Sequence, residues 1–365
     1  MNPLQFLFPN FYNDKILSRQ RRIHSGDLVM DKRVAIYLVF PKTGLLPSHL
    51  HSIQYMIDNG YTPLIVSNLP LTSQDLTTLR PLSHQIIERV NFGYDFGGYR
   101  EAILWLGDKL LLLDRLVLLN DSTWFPLAGQ MNWLSQTKSL PHDFIGALEA
   151  GFVKRPDVKS YKTMRWRMDR GQSRFHYCSF ALSIRPKILQ NIDFIRFWKN
   201  LRLTQGKNRT VKRGEIGLTQ WVLAQGYSHS ATTDYSDLDQ VLLLLPEVEL
   251  RRFLARVMIV QDPDAQAMFD RLAINPGWSN LSHHHITQAI LMAVARRGGG
   301  HALADYLISD KNYGFLKKYA AGPNEKNMTA MVALIENLSD PLRYDMLAER
   351  GLTSSAASQT ADREA

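Results

Sequence analysis

The chain has 365 residues, 45% hydrophobic and 21% charged, with 43 Lys and Arg against 34 Asp and Glu for a formal net charge of +9. That composition excludes a disordered chain and allows one large domain with an appendage, or two domains. The basic balance points to anionic partners: nucleic acid, a membrane surface or a phosphorylated substrate. A single cysteine, Cys178, excludes an intrachain disulfide and fits a reducing cytoplasm. No apolar run is long enough to span a bilayer, Leu242 to Leu245 being only a core-sized tract. The stretch MNPLQFLFPNFYNDK has no basic region before its apolar residues, so it does not read as a signal peptide. The expected location is the cytoplasm, with room for a peripheral contact at the inner face of a membrane.

Residues 1–32 mix aromatic and basic side chains, with Pro9 breaking any long helix, and read as an arm packed on a domain. No sustained amphipathic period favours a membrane-surface helix there over packing. Val34 to Phe40 is a continuous apolar, β-branched run, the pattern of a strand buried on both faces. A helix from about Ser48 is predicted by Leu50, Ile53, Met56 and Ile57, with Asn59-Gly60 as its stop. Strands follow at Thr62 to Ser67, Gln85 to Val90, Arg115 to Leu119 and Asp143 to Leu148. Strands alternating with helices predict an α/β fold with a mostly parallel sheet. Neither GxGxxG after the first strand nor GxxxxGK[ST] is present, which argues against a dinucleotide enzyme and a P-loop kinase or ATPase.

The stretch NFGYDFGGYREAILWLGDKLLLLDRLVLLNDSTWFP organises the rest. It places a glycine-rich corner and the cluster Asn120-Asp121-Ser122 at the carboxyl ends of two strands, with the apolar segment Ala102 to Leu113 between. Ligands bind at that edge of open α/β sheets. Gly93, Gly97 and Gly98 permit positive φ or close backbone approach, and amides opening a helix there favour an anion such as a diphosphate. A tight strand-to-helix turn is the structural alternative. After Leu148 the chain becomes basic, with Tyr161, Trp166, Phe175 and Tyr177 interleaved. That mixture fits single-stranded nucleic acid, a sugar phosphate, or a plain solvated loop. His176 to Pro186 reads as a strand, and Phe194, Phe197 and Trp198 as a core-facing helix. Gly214-Glu215 then opens a helix. Glu215 is explained equally by the helix dipole and by a general base at a pocket mouth.

NFGYDFGGYR, LVLLNDSTWFP, HYCSFALSIRPKIL with the Phe-Trp pair after it, and GEIGLTQWVLAQGY together resemble the rhamnan synthesis protein F family, bacterial glycosyltransferases of cell-surface polysaccharide assembly. The resemblance covers about Val34 to Tyr227. A weaker echo runs on through Asn275-Pro276 to Phe315, with Gly314 where the family usually has proline. It implies a GT-A-like (Rossmann-like) sheet flanked by helices, a nucleotide-sugar donor such as dTDP-rhamnose, and a lipid-linked or growing glycan as acceptor. Asn91, Gly93, Tyr94, Asp95, Gly98, Tyr99 and Arg100 match the family's glycine-aspartate corner and are assigned to the donor, with Asn120, Asp121 and Ser122. Asp121 is the candidate ligand for Mg²⁺ or Mn²⁺, and Arg100 could instead neutralise phosphate through bidentate bonds. The implied chemistry is inverting glycosyl transfer, with Glu215 as base and Asp95 as second candidate.

The expected organisation is an arm over 1–32, a transferase domain over 33–240, a helical subdomain over 241–350 and a disordered tail over 351–365. His283-His284-His285 cannot converge on one ion, because neighbours on a helix point about 100° apart. They are expected in a first turn. Nucleic-acid binding is set aside, since no reading module is visible. A non-catalytic glycan- or anionic-surface-binding protein on the same fold remains the alternative class.

Overall fold

The computed structural model describes residues 7–275, 277–318 and 325–351. The tail expected to be disordered, apart from Gly351, lies outside them, as do Pro276, Tyr319 and Gly322-Pro323. The chain forms two compact units. The first takes Met1–Asp121, Asn132–Ala147 and His176–Thr232; the second takes Ser122–Met131, Leu148–Phe175 and Thr233–Ala365. Three stretches expected in the transferase domain, Ser122–Met131, Leu148–Phe175 and residues 233–240, thus belong with the helical C-terminal residues.

The first unit is built on eight strands: β1 (Arg22–Ser25), β2 (Arg33–Val39), β3 (Thr62–Ser67), β4 (Gln85–Glu88), β5 (Arg115–Asn120), β6 (Phe144–Gly146), β7 (Ala181–Ile184) and β8 (His229–Ala231). Their order is β1-β4-β3-β2-β5-β7-β6-β8. The four strands β4, β3, β2 and β5 run parallel, β8 is parallel to β6, and β1 and β7 pair antiparallel with their neighbours. This is the α/β class expected from the alternating pattern. β2, β3 and β5 are buried along nearly their whole length, as their unbroken apolar runs require.

The predicted helix after β2 is α1 (Pro47–Asp58), with Pro47 in its first turn. The polar segment after β3 forms α2 (Ser73–Leu79), closed by a capping box. Thr72 Oγ1 accepts from Asp75 N at 3.1 Å, and Asp75 Oδ2 accepts from Thr72 N at 2.9 Å. The largest departure is α3, which runs Tyr94–Leu106 and so begins within the glycine corner instead of after it. Gly97 and Gly98 are helical. A Cβ on Gly98 would lie 2.4 Å from Leu38 Cδ1, and one on Gly97 would lie 2.1 Å from the Phe92 carbonyl oxygen. Their close approach is to the protein's own strand and turn, and lets α3 pack directly on β2.

The expected strand His176 to Pro186 is broken: His176–Tyr177 is extended, Cys178–Phe180 turns, and β7 begins at Ala181. Glu215 opens no helix. It lies in a π-helical turn, Val211–Ile216, inside a run that starts at Lys207 and continues as α4 (Gly217–Ala224). Single π turns within helices are rare and recur at functional sites.

The second unit is largely helical among the described residues. Its core gathers Trp124, Leu127, Met258, Ile308, Leu316, Met331, Ile335 and Met346. Phe315 stacks on Phe125 with ring centroids 4.1 Å apart. Asp262, held by Arg296 through contacts of 2.8 and 2.7 Å, caps the helix Pro263–Ile274. The basic-aromatic stretch lies mostly here. Tyr161 and Phe175 are buried, Tyr177 is buried in the first unit, and Trp166 donates to Ser236 O and packs on Phe152. Tyr161, Phe175 and Tyr177 are core, which removes them as a stacking platform for bases or sugars, while Trp166 is half-buried. Leu242 is buried but Leu243 and Leu244 are exposed, so only part of the leucine tract is core. His283–His285 open the helix His283–Arg297, as expected.

Candidate functional site

The site lies in the first unit, around Tyr99 and the turn Cys178–Phe180. Asp95 comes from the first turn of α3, Asn120 and Asp121 from the end of β5, and Glu215 from the π turn. Ser179 ties them together. Its backbone N–H donates to Glu215 Oε1 at 2.6 Å, its hydroxyl donates to Asp95 Oδ2 at 2.9 Å, and its carbonyl accepts the Tyr99 hydroxyl at 2.9 Å. Tyr99 in turn accepts from Asn120 Nδ2 at 3.1 Å. Five polar residues from four stretches thus form one connected network.

Local structure explains this convergence. Gly93 (φ +84°) and Tyr94 (φ +53°) are consecutive left-handed residues that turn the chain sharply into α3. Tyr94 is the unusual one, since non-glycine residues seldom take positive φ. Gly214 lets the π turn close onto α3: a Cβ there would sit 2.3 Å from Phe96 Cγ. The 176–179 segment is anchored twice on the facing helix, by Ser179 N–H on Glu215 and by Tyr177 N–H on Thr219 Oγ1 at 3.1 Å. Glu215 and Thr219 are four residues apart and so share a face.

Electrostatics confirm the crowding. Burial, and then the negative charges of Asp95, Glu215 and Asp121, push the Tyr99 hydroxyl well above the usual tyrosine range, opposed by its bond to Asn120. The phenol therefore stays neutral and acts as a hydrogen-bonding strut. Glu215 and His176 are each only 16% exposed, with Oε2 and Nε2 3.9 Å apart. Asp121 accepts the Phe40 N–H on Oδ2 at 2.6 Å, and His49 Nε2 stands 3.3 Å from the same oxygen without hydrogen-bond geometry. His49 is buried, and its Nδ1 accepts Leu46 N–H at 3.2 Å. Among the described residues no donor is placed on Asp121 Oδ1.

The other expected donor residues divide. Asn91 Oδ1 is buried with no hydrogen-bond partner among the described residues, while its carbonyl accepts from Gln205. The Tyr94 hydroxyl donates to Gln205 O. Gly93 turns the chain and Gly98 packs on Leu38. Ser122 belongs to the second unit, where its Oγ accepts from Lys317 Nζ at 3.1 Å. Arg100 is committed elsewhere: buried, it makes paired bonds of 2.7 and 2.8 Å to Asp14 and donates to Trp198 O at 2.9 Å. Its guanidinium braces the Tyr12–Ile16 turn against α3, and a phosphate would have to displace Asp14. Two first-turn amides of α3 are also occupied, Phe96 N–H by Asp95 Oδ1 and Gly97 N–H by Gly93 O.

Ser179, His49 and His176 were missed. The only sequence signals were polar residues interrupting apolar runs, HYCSFAL and SHLHSI, and such residues are usually just satisfied within a core. Among the described residues no group of three or more His, Cys, Asp or Glu could hold a metal ion. A divalent cation would depend on Asp121 Oδ1 with oxygens brought by a ligand, which is how Mg²⁺ is commonly held.

An α/β sheet with a polar, acid-rich network at the carboxyl end of β5 defines the class; comparison with known proteins gives the family. The profile of rhamnan synthesis protein F matches residues 64–275, more than half of the chain, and the chain belongs to that family. It is 26% identical over 238 residues to the uncharacterized protein y4gN of Sinorhizobium fredii, a match covering 65% of this chain and 57% of that protein. Weaker likenesses exist among solved structures. A mannosyltransferase of Pyrobaculum calidifontis in complex with GDP-Man and Mn²⁺ aligns at TM-score 0.35 and 11% identity, over 89% of this chain and 82% of its own. The Saccharomyces cerevisiae mannosyltransferase Ktr4p aligns at 0.29 and 13%, over 54% and 65%. Among the described residues no helix is long and apolar enough to cross a membrane.

Proposed function

We propose that this chain is a glycosyltransferase of the GT-A-like kind that its family implies. It moves a sugar, rhamnose being the first candidate, from a nucleotide-diphosphate donor to a hydroxyl of a lipid-linked or growing cell-surface polysaccharide, with inversion. The observation that carries this reading is the joint placement of Asp95 and Glu215 on Ser179, beside Asn120 and Asp121. Such a site offers a base among polar groups at the sheet edge where ligands bind.

Glu215 takes the acceptor hydroxyl proton as that oxygen bonds to the anomeric carbon. The bond from that carbon to the phosphate oxygen breaks, and the nucleoside diphosphate leaves with the electron pair. The Ser179 N–H fixes which Glu215 oxygen faces the acceptor, leaving Oε2 for the proton. Asp95, held by the same serine, is the second candidate base. Asp121, oriented by Phe40 N–H, would hold the donor, or a Mg²⁺ or Mn²⁺ bound with it, through Oδ1. A bound cation would offset the charge of the leaving group.

The test is a thermal-shift and titration series against dTDP-rhamnose and UDP-, GDP- and CDP-sugars, with and without Mg²⁺ or Mn²⁺. Saturable binding of one nucleotide sugar, lost in Asp121→Ala at an unchanged melting temperature, is expected. Folded protein that binds none of them would move the assignment to a non-catalytic glycan- or anionic-surface-binding protein.

A further inference from the structure

We infer that the first unit carries a docking surface for an anionic phospholipid bilayer, formed by the exposed face of the Leu7–Gln20 segment and the cationic run from Lys199 to Arg213. Leu7, Phe8 and Phe11 are 65%, 60% and 55% exposed. Their own segment has a buried face that could have taken them: Pro9 and Asn13 are buried, and Tyr12 packs edge-on against Phe92. Large apolar side chains left in water beside such a face suit a surface that is itself apolar a few ångströms down.

Charge selects the occupant. Between Lys199 and Arg213 the chain has six Lys and Arg and no acid. Lys207, Arg209 and Lys212 are exposed, and among the described residues none of the three lies within ion-pairing distance of a carboxylate. The two halves are fastened together at Asn10. Its Nδ2 donates to Lys199 O at 3.3 Å, and its Oδ1 accepts from Leu203 N at 3.1 Å. Asp14, the acid of the apolar segment, is already paired with Arg100. Apolar residues alone would bind any bilayer, and cations alone any polyanion. Both on segments fastened to each other favour an anionic membrane, to which each nearby cation adds attraction. The same helical run that carries Lys207, Arg209 and Lys212 carries Glu215, so docking would bring the acidic network near the lipid interface.

Vesicle co-sedimentation of the full chain tests this and needs no sugar donor, so its outcome is independent of the transferase reading. Wild-type protein should pellet with phosphatidylcholine vesicles containing phosphatidylglycerol, not with phosphatidylcholine alone, and less as salt rises. The pair Phe8→Asp and Phe11→Asp, and separately the triple Lys207→Glu, Arg209→Glu and Lys212→Glu, should each lower partitioning roughly ten-fold or more at unchanged melting temperature. The substituted side chains are exposed, so folding should survive. Equal pelleting on neutral vesicles would overturn the inference. So would loss with the charge variant while the phenylalanine pair binds as wild type, which would mark a purely electrostatic site such as one for nucleic acid.

Discussion

Ser179 donates in two directions from one residue, and the two bonds can be separated by mutation. Its N–H to Glu215 belongs to the backbone and survives any side-chain change, whereas its hydroxyl bond to Asp95 does not. Glu215→Gln should lower turnover roughly 10²- to 10⁴-fold, the usual size of a lost general base, with the melting temperature unchanged. Ser179→Ala removes the hydroxyl bond to Asp95 and leaves the N–H bond to Glu215, and a smaller loss is expected. Steady-state kinetics on the two variants decide between the acids. A Ser179→Ala loss as deep as that of Glu215→Gln, with stability intact, would point to Asp95 as base, and near wild-type turnover in Glu215→Gln would remove Glu215 from that role.

At the scale of elements, the π turn and α3 are mutually dependent. Phe96 fills the space that a side chain at residue 214 would occupy, so Gly214→Ala must push the turn away from α3. Overpacking of this kind costs about 1–3 kcal/mol, and a denaturant melt should show it together with reduced activity. If stability and activity both hold, the ring has room to shift and the contact does not set the position of Glu215. Much of the sheet was legible in the sequence because β2, β3 and β5 are buried on both faces and keep unbroken apolar runs. The start of α3 was not, since glycines at 97 and 98 read as a corner, and only contact with Leu38 and Phe92 shows why a helix tolerates them. Asp95, Asn120 and Asp121 could be flagged from their place at strand ends. The structural employment of Arg100 could not, because Asp14 lies far off in sequence and in a segment with no clear period.

Across the whole molecule, four aspartates link folding to pH. Burial pushes each carboxyl up. Hydrogen bonds outweigh it, from Arg100 to Asp14, Thr72 to Asp75, Ser228 to Asp143 and Arg296 to Asp262, and leave all four below the ordinary 3.8. A depressed folded-state value contributes stability that is complete above the unfolded value and lost as pH falls through the folded one. The melting temperature should therefore drop steeply below pH 3.8. Asp14→Asn should melt below wild type at neutral pH and converge with it in acid; a gap that persists at low pH would mean Asp14 stabilises by something other than its charge. The interleaving of the two units also has a consequence for biosynthesis. β7 lies between β5 and β6, yet the chain reaches it only after Ser122–Met131 and Leu148–Phe175 have been made for the other unit. On the ribosome, the edge of β5 that β7 will cover stays unpaired until Ile184 emerges. An open apolar strand edge is a template for pairing with other chains, so the nascent protein passes through an interval in which its half-built sheet is open to them.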